Sequence, residues 1–263
     1  MIGASLPLSF LSDGGAPFGE IQQLLEQLRA HGVCSIELRS VRPNTPPEQV
    51  LSAAQHVWNA GLSITVHGTV TDEANAVNHV FDPLAQLMPA LQHKELVITI
   101  HPIVGDNIAM LRRLDAHISA HAYPARIALE NNRLLPDKTE GDSIALVLST
   151  VENAGCKHVG ICWDMGHFLY YLKKHHPDAI TSLPPDAFLR RVIHTHIHAT
   201  NGLRTHFPLD AYDLPVRAYC VALKSVGYGG LFNLELDFKR FEELHDPREA
   251  LLHSIDVLRA CND

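Results

Sequence analysis

Short apolar runs rich in β-branched residues alternate along the chain with longer stretches whose apolar positions recur every three or four residues. The first kind reads as buried strand and the second as amphipathic helix. Strands are predicted at 2–6, 34–39, 62–67, 95–101, 126–131, 158–164, 191–198 and 230–236. Helices are predicted at 18–31, 46–60, 73–91, 107–121, 140–154, 184–189, 212–226 and 246–261. The first helix gathers Ile21, Leu24, Leu25 and Leu28 on one face and stops at Gly32; the second carries Pro46 and Pro47 at its start and Gly61 just past its end. Strand and helix, repeated eight times, predict one α/β domain over 1–263, a closed (β/α)₈ TIM barrel. An open doubly wound sheet is the competing architecture, but no Gly-rich phosphate loop follows the first strand. The stretch 199–217 is the longest without a clear element, and loops of that length tend to be functional.

Composition narrows this further. Of the 263 residues 46% are hydrophobic but only 6% aromatic, as in a parallel barrel whose strands are buried on both faces. The formal charge of −8 disfavours a nucleic-acid partner, since phosphate neutralisation relies on Lys and Arg. The five cysteines are odd in number and show no CxxC spacing, so reduced thiols in the cytoplasm are expected. Neither a signal-peptide pattern nor an apolar run long enough to span a membrane is expected from the sequence.

The unusual count is 18 histidines. His175 and His176 sit in the polar run KKHHPD and are expected at the surface. Others fall at predicted strand ends, where such barrels build their active sites. Strand three ends in His67, strand four in His101, strand five in Glu130 followed by Asn131 and Asn132, and strand six in Asp164 with His167 just beyond. Strand seven carries His194, His196 and His198, strand eight ends in Glu235, and strand two ends with Glu37 and Arg39. Any one of these alone would be an ordinary helix cap or loop contact. Six consecutive strands ending in His, His, Glu, Asp, His and Glu form a ligand set, because clustered carboxylates repel unless a cation joins them. The three histidines of strand seven share one face, so only one or two reach the rim, and spacing does not say which.

In order, HG…TDE (67–73), HP (101–102), ENN (130–132), DMGH (164–167), HIHATNG (196–202), HFPL (206–209) and LEL (234–236) resemble the xylose-isomerase-like TIM barrel superfamily. That group includes sugar phosphate isomerases and epimerases and the zinc-dependent AP endonucleases of family 2. The resemblance implies a four-ligand metal site at Glu130, Asp164, His196 and Glu235, with His198 as the rival to His196. It implies that His67 and His101 match ligands of a second metal, and that His167 and His206 match residues near substrate or a third metal. Three departures stand out: HPI where the family has HPG, Ala199 and Thr200 where an acidic residue often follows, and Arg204 and Thr205 where an Asp usually precedes the loop histidine. The last of these counts against a full trinuclear zinc site.

The expected function is therefore isomerisation or epimerisation of a sugar or sugar phosphate through a metal-stabilised enediolate. Glu130, Glu235 and His167 are the expected catalytic groups, and His167, His206, His198 and Asn132 the expected substrate contacts. One to three divalent ions, zinc or manganese, are the expected cofactor. A zinc-dependent phosphoesterase of the AP endonuclease type is the rival reading. The expected partner is a small carbohydrate-like molecule, without a membrane, and a homodimer is among the assemblies the resemblance allows.

Overall fold

The computed structural model describes residues 1–13, 20–212, 214–243 and 245–262. Eight parallel strands close on themselves in sequence order. They are β1 (Ile2–Pro7), β2 (Val33–Val41), β3 (Ser63–Gly68), β4 (Leu96–Ile100), β5 (Ala125–Glu130), β6 (Val159–Asp164), β7 (Val192–Ile197) and β8 (Phe232–Leu234), with β8 pairing back to β1. The helices are α1 (Leu8–Asp13), α2 (Ile21–Ala30), α3 (Pro47–Asn59), α4 (Ala76–Phe81), α5 (Leu87–Ala90), α6 (Asn107–His121), α7 (Ser143–Ala154), α8 (Met165–His175), α9 (Asp186–Leu189), α10 (Val216–Ser225) and α11 (Pro247–Asn262). This is the (β/α)₈ TIM barrel expected from the alternating pattern.

Outward-facing strand residues such as Ile36, Leu38, Val66 and Leu129 are fully buried under apolar helix faces, among them Leu24, Leu25 and Leu28 of α2. Asp106 and Asp142 cap α6 and α7, each carboxylate accepting a backbone N–H three residues on.

Three helical expectations change. The stretch 73–91 is two short helices, because Pro83 cannot continue α4 and α5 starts afresh at Leu87. An unexpected eleven-residue helix, α8, follows β6 directly. The apolar run through the end of β6 and on into 168–172 shows no change of period where the strand stops. A further unexpected helix, α1, buries Leu8, Phe10 and Leu11 beyond Pro7. Positions 18 and 19 of the first predicted helix lie outside the described residues. The stretch 199–215 holds no helix or strand among its described residues; a single bridge between Ala199 and Phe207 folds it into a short return. His175 and His176 are exposed, as their polar run implied.

Candidate metal centre

The barrel interior around the C-terminal rim is polar. His196, at the end of β7, is its centre. The ring Nδ1 lies 3.1 Å from Glu130 Oε2 on β5 and 3.1 Å from Glu235 Oε2 just past β8. Glu130, Asp164, His196 and Glu235 are all buried and offer ligand atoms within 4.8 Å of one another. Two further groups share this centre. His67 and His101 converge on Glu130, their Nε2 atoms 3.4 and 3.2 Å from its Oε2. Asp164 meets His198 Nε2 at 2.9 Å and His167 Nδ1 at 3.3 Å, and His206 completes that set.

The His198–Asp164 approach is a hydrogen bond, but those around Glu130 and Glu235 are not. His67 Nδ1, His101 Nε2, both Glu130 oxygens, His196 Nδ1 and Glu235 Oε2 are buried without a hydrogen-bond partner. An orphaned buried polar atom costs on the order of 1–3 kcal/mol, and six of them at one spot is a heavy penalty unless a cation lies between them. A donor set of imidazoles and carboxylates suits zinc or manganese, so the residues present fit a divalent ion.

Electrostatics tell the same story. Burial alone would raise the Glu130 and Glu235 carboxyls. The positive charge of neighbouring histidines, His101 and His196 for Glu130 and His196 for Glu235, overrides it and holds both well below the ordinary range. Burial opposes charge on His167 too, yet the Asp164 and Glu130 carboxylates push it up to about 9. His206 moves the other way, to about 4, because burial and the nearby His198 both disfavour its cation. Without a metal, protons on histidines supply the positive charge that the carboxylates demand.

Local structure explains the placement. Asp164 ends β6 and caps α8, accepting the His167 backbone N–H at 2.6 Å, which fixes His167 one turn above the strand end. Gly166 lies between them against β7, where a Cβ would overlap the His198 ring and carbonyl. His198 Nδ1 accepts the backbone N–H of His206 at 3.0 Å, and the two rings stack at 4.1 Å. The Ala199–Phe207 bridge is what brings His206 back over His198.

Residues 25–261 match the family described as Xylose isomerase-like TIM barrel. The chain belongs to that family. Among xylose isomerase-like structures, a xylose isomerase domain protein from Alicyclobacillus acidocaldarius subsp. acidocaldarius superposes with a TM-score of 0.66 at 14% identity, over 99% of this chain and 97% of the other. A D-psicose 3-epimerase solved in the presence of D-fructose gives 0.58 at 14% identity, over 97% and 99%. Likenesses at this identity show the fold. A curated relative, the uncharacterized protein MJ1188 of Methanocaldococcus jannaschii, is 42% identical over 74 residues, a match spanning 27% of this chain and 27% of that protein's length.

In this xylose isomerase-like barrel nine of the ten residues singled out from sequence meet in the three adjoining groups. The tenth, Asn132, is half-buried and turns its side-chain oxygen to the Arg133 backbone N–H. Its neighbour Asn131 instead ties β5 to β6 through the backbone of Asp164, at 2.9 and 2.8 Å. The three histidines of β7 and its end divide the work: His196 joins Glu130 and Glu235, His198 joins Asp164, and His194 lies deeper against Glu37. The sequence reading left Glu37 out of the site. It is fully buried, its Oε2 3.0 Å from His196 Nε2 and 3.1 Å from His194 Nε2, while Ser5 and Asn233 hydrogen-bond its Oε1. Burial would raise this carboxyl as well; the two histidines instead hold it well below its usual range. Its strand parity with Ser35 and Arg39, interior positions on β2, is the signal that would have found it.

Proposed function

We propose that the protein is a metal-dependent isomerase or epimerase of a sugar or sugar phosphate. The observation that carries this reading is the pair Glu130 and Glu235, whose buried, unpartnered Oε2 atoms converge on His196 Nδ1. Glu130, Asp164, His196 and Glu235 would hold the first divalent ion, and His67 and His101 extend the set at Glu130. A bound zinc or manganese ion supplies Lewis acidity that polarises a carbonyl and steadies negative charge on its oxygen. The chain's own residues do the rest. Glu130 and Glu235 are the proton carriers: one removes the proton from the carbon next to the carbonyl, and it or the other returns one. Return to the neighbouring carbon gives isomerisation; return to the opposite face of the same carbon gives epimerisation. His167 orients a substrate oxygen from above β6, with His206 and His198 beside it.

The test is turnover of a panel of ketoses, aldoses and their phosphates by metal-loaded protein. Proton exchange with deuterated water at the carbon beside the carbonyl is expected, and its loss in Glu130→Gln and Glu235→Gln. A panel with neither turnover nor exchange counts against the proposal.

One observation favours a second reading. Beside the set Glu130, Asp164, His196 and Glu235 lie two more donor groups, one at His67, His101 and Glu130 and one at Asp164, His167, His198 and His206. An array of ions there suits phosphodiester hydrolysis, and nicking of a duplex carrying an abasic site would select it.

A further inference from the structure

Beside the metal centre a cavity of about 650 Å³ opens between β1, β2 and the segment after β8. Arg39, Arg42, Lys239, Arg240, His206 and Asp237 are among its walls. In a chain with a net charge of −8, four cationic side chains and one carboxylate around one cavity is a local reversal of sign. Asp237 is already paired with Arg240, at 3.3 Å. Neither Arg42 nor Lys239 meets a carboxylate among the described residues. Arg39 spends one Nη1 contact on the Leu236 carbonyl, at 2.8 Å, and stands 3.9 Å from Glu235, which leaves its other N–H groups for a ligand.

The position of these cations is specific. Arg39 and Arg42 also line a smaller cavity of about 240 Å³ with His67, His101 and Glu235. They therefore stand between the carboxylate–histidine cluster and the larger cavity. The backbone is bent to put them there. β2 loses register with β3 between Leu38 and Val41, and Ser40, between the arginines, takes a left-handed φ of 70°. A side-chain-bearing residue in that region stores strain, which collects where a fold aims functional groups.

We propose that this cavity holds the terminal oxyanion of the substrate, so that the reacting molecule is a short ketose bearing a phosphate or carboxylate at the end remote from the reacting carbons. The proposal rests on the isomerase reading of the adjacent centre and narrows its substrate class. Guanidinium groups give an oxyanion paired, charge-assisted hydrogen bonds, and Lys239 adds a mobile point charge. Binding energy gained at the tail orients the carbonyl end over Glu130 and Glu235.

Two measurements test it. Calorimetry with inorganic phosphate, on metal-stripped and metal-loaded protein, reads the anion site without any turnover. Phosphate is expected to bind both forms, and Arg42→Ala/Lys239→Ala to weaken it at least tenfold with metal content preserved. Binding that survives the double variant overturns the proposal. Kinetics on neutral ketoses, their terminal phosphates and the matching sugar acids then read the substrate class. An advantage of at least 100-fold in kcat/KM for one anionic series, lost mainly through KM in the double variant and partly regained with Arg42→Lys, supports it and tells phosphate from carboxylate. Equal kcat/KM for neutral and anionic sugars overturns it. If phosphate binding is lost in the variant but no sugar turns over, the anion site stands and the isomerase reading fails. If the protein nicks an abasic duplex and the variant abolishes that, the cations serve a nucleic-acid backbone and the small-substrate proposal falls.

Discussion

Glu37 Oε2 lies 3.0 Å from His196 Nε2, on the side of the ring opposite Glu130 and Glu235. A carboxylate there accepts the Nε2 proton, so Nδ1 faces the centre and offers its lone pair once a cation displaces the proton it otherwise carries. Ring orientation and tautomer are thus set from inside the barrel, as carboxylate partners do for metal-bound histidines.

Glu37→Gln should therefore weaken metal binding without unfolding the barrel. The amide has the shape of the carboxylate, but its NH₂ would face either the donors from His194 and His196 or those from Ser5 and Asn233. We expect a loss of roughly 10–100-fold in metal affinity, read by chelator competition. An unchanged competition midpoint would refute the positioning role.

Glu130 belongs both to the group around His196 and to that with His67 and His101, whereas His101 belongs to the latter alone. Glu130→Ala should empty both groups and abolish activity. His101→Ala should lower the stoichiometry by one ion and leave the set around His196 occupied. Elemental analysis of the purified variants checks the difference. Equal ion counts in wild type and His101→Ala would restrict the centre to one ion.

The barrel was legible because each strand is a short apolar run, and the rim because every ligand type falls at the end of such a run. His67, His101, Glu130, Asp164 and Glu235 need nothing more than strand position to be found. What was not legible depends on contacts between distant segments. The choice between His196 and His198 turns on where β7 ends and on Gly166 letting α8 pass over His198. The grouping of His206 with Asp164 and His167 needs the return made by Ala199 and Phe207. Glu37 is visible in the sequence as a strand-end residue without a role; that role depends on partners from three other strands.

Gly166 offers a direct test of that packing. Its hypothetical Cβ would meet the His198 ring and, worse, the His198 backbone carbonyl, which has no rotamer to escape through. Gly166→Ala should cost about 3 kcal/mol through overpacking and displace His198 from Asp164. Thermal denaturation together with metal content reads both effects. A variant with wild-type Tm and full metal would show that α8 and β7 have more room than the structure gives them.

The metal-free protein should lose stability on the alkaline side. Ordinary histidine titrates near 6.5, and burial lowers that value, but Asp164 and Glu130 raise His167 to about 9. A raised histidine binds its proton more tightly folded than unfolded. Its contribution is thus complete below about pH 6.5 and disappears as the pH climbs through about 9. The shift corresponds to on the order of 3 kcal/mol, shared with the coupled carboxylates. Chelator-treated protein should melt well below its pH 6.5 Tm when measured at pH 9.5, and His167→Gln should flatten that decline. Metal reverses the logic, because an ion held by Glu130 and Asp164 would supply the positive charge that the His167 proton otherwise provides. The loaded protein should hold its Tm across the same interval and release protons on metal uptake at pH 7, measurable as a buffer-dependent heat. If the chelated and loaded proteins declined in parallel, the histidine protons would not be standing in for a cation.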